Sequence, residues 1–151
     1  MVATFLDTGA LSLVVDRPGR NPDVVAAQNW FADLLEAGIT IYVPEICDYE
    51  LRRELIRAQK TSSLRRLDIL ISSVEFIKIT TPVMQHAAQL WATARSSGKP
   101  TADDTALDGD IILCAQVLSL GIPFTDYAVA TTNVKHLKLF VHAAEWRDIS
   151  V

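Results

Sequence analysis

The sequence predicts an α/β fold: a mainly parallel sheet of about four or five strands with helices on both faces. Two observations carry that prediction. Short apolar or β-branched runs (Val2–Leu6, Ile39–Val43, Phe76–Ile79, Tyr127–Thr131) alternate with longer stretches of helical periodicity. No internal repeat, low-complexity tract or linker interrupts the 151 residues, so residues 1–151 are read as one domain.

The first run is long enough for one buried strand and stops at Asp7. Ala10 to Val15 follows as a short apolar helix, then a dense cluster of turn signals from Asp16 to Pro22. Asn21 as cap and Pro22 at a first helical position start a second helix, with Val25, Trp30, Phe31, Leu34 and Leu35 on one face and Gly38 ending it. After the strand Ile39–Val43, Pro44 opens a helix to about Lys60, whose buried stripe is Cys47, Leu51, Leu55 and Ala58. A further helix spans Thr61 to Ile71, and Phe76, Ile77 and Ile79 form the next strand.

Thr81-Pro82 begins a helix with Val83, Ala87, Leu90, Trp91 and Ala94 on one face and Gly98 at its end. Lys99 to Thr105 reads as a polar loop. Leu107 to Leu120 is apolar nearly all round, hence a buried helix, with Asp108 and Asp110 in its first turn. Tyr127–Thr131 is a strand running into Thr132-Asn133, and Leu137 to Val141 is a last apolar segment.

Half of the residues are apolar and 21% are charged. No apolar run approaches the about 18–20 residues that cross a bilayer. The first run lacks a preceding basic segment and breaks at Asp7, unlike a signal peptide. A cytoplasmic protein without membrane contact is expected, its excess apolar surface meeting another protein. The net charge of −4 argues against a protein that coats nucleic acid, but not against an enzyme needing only local positive charge. Cys47 and Cys114 fall on apolar helix faces as buried thiols, and His86, His136 and His142 are scattered, so zinc is not expected.

Four polar positions fall where a parallel sheet could bring them together. Asp7 ends the first strand, Glu50 lies within two turns of a helix start, Asp110 starts a buried helix, and Asn133 follows a late strand. In open α/β sheets, ligands bind beyond the carboxyl ends of the strands. Gathered carboxylates repel unless a cation neutralises them, and oxygen donors without His or Cys select Mg²⁺ or Mn²⁺. Each position also has a purely structural reading: Asp7 and Asp108 or Asp110 as helix caps, Glu50 paired with Arg53, Glu54 with Arg57, and Asn133 as a turn residue.

The ordered set Phe5-Leu6-Asp7-Thr8-x-x-Leu11, Tyr49-Glu50-Leu51-Arg52, Asp110-x-x-x-Cys114-Ala115 and Ala130-Thr131-x-Asn133-x-x-His136-Leu137 resembles the PIN-domain ribonucleases. Within them it is most similar to the VapC-type toxins of toxin–antitoxin pairs, over essentially the whole chain. The resemblance implies a three-layer α/β/α fold, Mg²⁺- or Mn²⁺-dependent endoribonuclease activity, homodimers, and inhibition by a small cognate antitoxin. It implies an acidic pocket of Asp7, Glu50 and Asp110, with Asp7 and Asp110 binding the metal directly and Glu50 binding it through water or orienting the attacking water. Thr131 and Asn133 complete the rim, and Thr8 makes an indirect or water contact. Two departures stand out: Gly9 replaces the family's usual Asn or Ser, and Asn133 replaces an acid, which puts a second metal ion in doubt. Asp126 sits too early in its strand to be a convincing replacement.

Arg52, Arg53, Arg57, Lys60, Arg65 and Arg66 form the richest basic region, suited to RNA phosphates, to an acidic antitoxin segment, or to a merely solvated helix face. A receiver-type phosphotransfer domain is disfavoured, because Thr80-Thr81-Pro82 follows the third strand without an acceptor Asp and no Lys stands at the matching place after the last. An aspartyl phosphatase would need a second Asp where Gly9 is. The remaining alternative is a catalytically silent PIN-like interaction module, against which the retained Asp7, Glu50 and Asp110 argue.

Overall fold

The computed structural model describes residues 1–97 and 104–151, the side chains of 104–107 excepted. Five parallel strands form one sheet: β1 (Ala3–Leu6), β2 (Thr40–Pro44), β3 (Glu75–Ile77), β4 (Tyr127–Thr131) and β5 (Ala143–Glu145), in the order β3-β2-β1-β4-β5. Helices α1 (Thr8–Val15), α2 (Pro22–Glu36), α3 (Glu45–Arg57) and α4 (Thr61–Ser73) lie in the connections from β1 through β2 to β3. Helices α5 (Thr81–Ser96) and α6 (Asp104–Leu118) carry the chain back across the sheet to β4, and the short α7 (Val134–Leu137) links β4 to β5. Right-handed crossovers running in opposite directions along the sheet put these two helix groups on opposite faces. The chain reverses direction between β1 and β4, and their carboxyl ends flank the switch point.

The strands are buried because both faces are covered; β1 and β4 expose no residue. Phe5 stacks on Tyr42 at 4.9 Å and meets Tyr127 edge-on at 5.5 Å, tying the three central strands together. Leu11, Leu34, Leu67, Val43, Val129 and Leu137 fill the core around them. Gly38 and Gly121, at φ +78° and +64°, turn the chain out of α2 and α6 in the left-handed region that glycine tolerates.

Several elements depart from expectation. In α2, Trp30, Phe31 and Leu34 of the expected face do pack on the core, but Val25 and Leu35 are 44% and 48% exposed, and Val24 and Ala27 turn inward instead. Pro44 ends β2 and caps α3 rather than opening it. Cys47, Leu51 and Leu55 do line α3's buried face, but Ala58 is an exposed C-cap. The last apolar segment, Leu137–Val141, begins at the end of a short helix (134–137) and continues as a turn, and a fifth strand that the sequence did not announce, Ala143–Glu145, follows it. Helix α6 starts at Asp104, so Asp108 and Asp110 lie inside it rather than in its first turn. Of the expected loop, 104 and 105 are helical; Gly98 and the rest of the loop, 99–103, lie outside the described residues. Among the described residues no helix is long and apolar enough to cross a membrane.

A buried polar clamp escaped the sequence reading. Gln116 on α6 is fully buried; its Nε2 donates to the Ile77 carbonyl at 2.6 Å and its Oε1 accepts from the Ile46 N–H at 3.2 Å. One side chain thus satisfies the first turn of α3 and the end of β3, and holds α6 against both.

Candidate active site

Asp7 follows β1 directly. Its N–H bonds to the Ala130 carbonyl at 3.0 Å, which extends the β1–β4 pairing by one step. Its Oδ1 accepts from the Ala10 N–H at 2.8 Å, so it caps α1. Burial pushes the Asp7 carboxyl up to about 6; hydrogen bonds from Ala10, Thr131 and Gly9 pull against burial, and the negative charge of Asp110 adds to it. Thr131, at the end of β4, is fully buried and its Oγ1 accepts from the Asn133 N–H at 2.8 Å.

Glu50 reaches the same edge from α3. The Thr8 hydroxyl donates to its Oε1 at 2.9 Å, and the carboxylate lies over Gly109 of α6. A Cβ at Gly109 would stand 2.7 Å from Oε2, so the absence of a side chain makes room for Glu50 beside Asp110. Burial raises the Asp110 pKa; the His136 imidazole opposes this, and the charge of Glu50 reinforces it. His136 Nδ1 lies 3.2 Å from Asp110 Oδ2.

Each of the three carboxylates has an oxygen engaged by a protein group, and Asp110 interacts electrostatically with both of the others. Among the described residues, no three His, Cys, Asp or Glu side chains are gathered closely enough to hold a metal ion. The acids therefore converge on one edge without forming a ready chelate. The donor set is nonetheless one of hard oxygens. Cys47 lies within the influence of all three charges, and burial together with those charges pushes its thiol well up; burial likewise takes Cys114 to about 12. Both stay protonated at neutral pH and offer no soft ligand. Carboxylates of this kind suit Mg²⁺ or Mn²⁺.

Other expected residues fall differently. Asn133 is exposed and precedes α7, its Nδ2 at 3.3 and 3.4 Å from the two ring nitrogens of His136. Arg52 is held by Asp48 at 3.0 Å and Asp68 at 2.7 Å, which ties α3 to α4. Arg57 pairs with Glu54, the structural alternative foreseen for it, whereas Glu50 engages Thr8 and not Arg53. The Arg53 guanidinium lies 5.0 Å over the Tyr49 ring, and Lys60 is exposed. Asp126 precedes β4, at the opposite end of the sheet from Asp7. His136 and Gly109 are the site features the sequence reading left without a role. For His136 the signal was its position one turn after Asn133; for Gly109 it was adjacency to Asp110. Gly9 is explained by Thr132, whose Oγ1 lies 2.5 Å from where a Cβ would stand.

No family model matches the chain, and no curated protein matches it in sequence. Solved structures do match it. A chain in the crystal structure of VapBC2 from Rickettsia felis, bound to a DNA fragment from its promoter, superposes with a TM-score of 0.71 at 17% identity over 95% of this chain and 98% of that one. VapBC-1 from nontypeable Haemophilus influenzae gives 0.68 at 18% over 97% and 99%. DNA-bound VapBC from Salmonella typhimurium gives 0.63 at 16% over 97% and 99%. At these identities the likeness establishes the fold, and this chain has the PIN-like α/β fold that its motifs led one to expect.

Proposed function

We propose that this protein is a Mg²⁺- or Mn²⁺-dependent endoribonuclease, the toxin of a toxin–antitoxin pair. The observation that carries the reading is that Asp7, Glu50 and Asp110 lie along one edge at the β1/β4 switch point, where α/β sheets bind ligands, with Asp110 in electrostatic reach of the other two. Support also comes from the fold neighbours, which are chains in VapBC structures, each covered over nearly its whole length.

Asp7 and Asp110 are the residues that would hold the ion, with Glu50 beside them. When bound, such an ion acidifies a water and offsets the charge building on a phosphodiester. Ala10 and Thr131 fix the Asp7 carboxyl against β4. Thr8 fixes Glu50 through Oε1, leaving Oε2 to orient the attacking water and accept its proton. Arg53, Arg57 and Lys60 are positioned along and just beyond α3 to meet RNA phosphates or an acidic antitoxin segment. A cognate antitoxin and a second copy of the chain are the protein partners; exposed Leu35, Ile56 and Ile69 give them apolar surface.

The test is cleavage of RNA by the purified chain with Mn²⁺, with EDTA, and as Asp7→Asn. Internal cleavage by wild type in Mn²⁺, with loss of it under EDTA and in the folded variant, is expected. Wild-type cleavage by Asp7→Asn would refute the assignment. A folded wild type that neither binds Mn²⁺ nor cuts RNA would make the chain an interaction module.

A further inference from the structure

We propose that His136 is a positioning residue for Asp110, turning its carboxylate toward the ion; this rests on the reading of Asp110 as an ion ligand. Residues 131–136 touch both principal acids. Thr131 bonds Asp7 at the end of β4, and five residues later the His136 imidazole meets Asp110 Oδ2 at 3.2 Å. The ring is not loosely placed. Leu137, next to it, is 1% exposed and anchors α7 in the core, and Asn133 Nδ2 lies 3.4 Å from Nε2, the ring nitrogen left to accept when Nδ1 donates to Asp110. Asn133 is in turn fixed by its N–H bond to Thr131.

A carboxylate two turns inside a helix and about a third exposed has a nearly free χ2 rotation. Engaging Oδ2 on an anchored imidazole removes that freedom and leaves Oδ1 as the oxygen available to an ion. A ligand held this way loses less entropy on binding, and groups that orient metal-binding side chains typically contribute about 10- to 100-fold in affinity.

The experiment measures Mn²⁺ binding by calorimetry at one fixed pH, without RNA, on wild type, His136→Ala, His136→Asn and Asp110→Asn, with thermal denaturation alongside. Alanine removes the donor, whereas asparagine keeps an amide N–H near the position of Nδ1. The expected result is affinity about 10- to 100-fold weaker in His136→Ala and restored to within a few-fold in His136→Asn, with both variants folded. Equal affinity in wild type and His136→Ala overturns the positioning role, and so does equal weakening by Ala and Asn. Wild type without Mn²⁺ binding, or Asp110→Asn binding as wild type does, overturns the ion-ligand reading beneath it and the positioning role with it.

Discussion

Gly109→Ala separates the geometry of the candidate site from the stability of the fold. Gly109 lies within α6 and has ordinary helical backbone, so alanine suits its conformation. Its new Cβ would stand 2.7 Å from Glu50 Oε2 and 3.2 Å from Cδ. The carboxylate must retreat by about 0.7 Å to reach van der Waals contact. A retreat directed away from Thr8 would stretch the Thr8–Glu50 bond, now 2.9 Å, to about 3.6 Å, past hydrogen-bonding distance. Losing that bond costs about 0.5–1.5 kcal/mol, and replacing a helical glycine returns about 0.5–1 kcal/mol. The two nearly cancel, so Tm should move by no more than about 4 °C for a chain of this size. The rate should fall about 10- to 100-fold, since displacements of this order at a reacting centre carry such losses.

The assay is single-turnover RNA cleavage in Mn²⁺ beside a thermal melt. Full activity in a folded Gly109→Ala would show that the position of Glu50 does not matter, and the water-orienting role would fall. Adding Glu50→Asp, which withdraws the carboxylate from the new methyl group, should make the pair strongly non-additive.

Asp7→Asn makes a pH prediction. Burial raises the Asp7 pKa from 3.8 to about 6, so this group stabilises the fold fully below 3.8 and the contribution is lost as pH rises through about 6. Without metal, the stability advantage of Asp7→Asn should therefore grow from near zero at about pH 3 to at most about 3 kcal/mol above pH 7. Denaturant titrations in EDTA would check it, and a pH-independent difference would refute it. Arg52→Ala should cost about 1 kcal/mol by urea denaturation, because it unties Asp48 and Asp68, and should leave cleavage unchanged; lost cleavage at unchanged stability would make Arg52 a substrate contact instead. Gln116→Leu should cost about 2–4 kcal/mol by orphaning the Ile46 N–H and the Ile77 carbonyl, and a loss under about 1 kcal/mol would refute the clamp.

The order of strands and helices was legible because burial and periodicity are local properties. Asp7 and Thr131 were legible for the same reason: each directly ends a run of buried strand residues. The apolar face of α2 was right for Trp30, Phe31 and Leu34 but not for Val25 and Leu35, which are apolar yet exposed, because hydrophobicity alone does not separate a core face from an apolar patch of surface. The contacts of Gln116, His136 and Gly109 were not legible, even though His136 stood in the motif and Gly109 beside Asp110, because those contacts are set by residues up to 70 positions away. Gln116 bonds Ile46, Gly109 makes room for Glu50, and His136 contacts Asp110. Nothing in the local pattern of a helix announces such a partner.

Capping and site chemistry looked like rival explanations for Asp7, yet the observed cap is compatible with both. The bond from Ala10 is the cap, and it is also what holds the carboxyl at the β1/β4 crevice. Glu50 and Asp110 follow the same logic with Thr8 and His136 as holders. A buried acid with no protein donor would be driven to its neutral form, and one with every lone pair satisfied would have nothing left for a ligand. Partial satisfaction, with desolvation and mutual repulsion still keeping Asp7 and Asp110 above their ordinary values, leaves an electrostatic cost of the kind that a divalent cation would relieve. The structural partners of these carboxylates are therefore part of the case for a binding site.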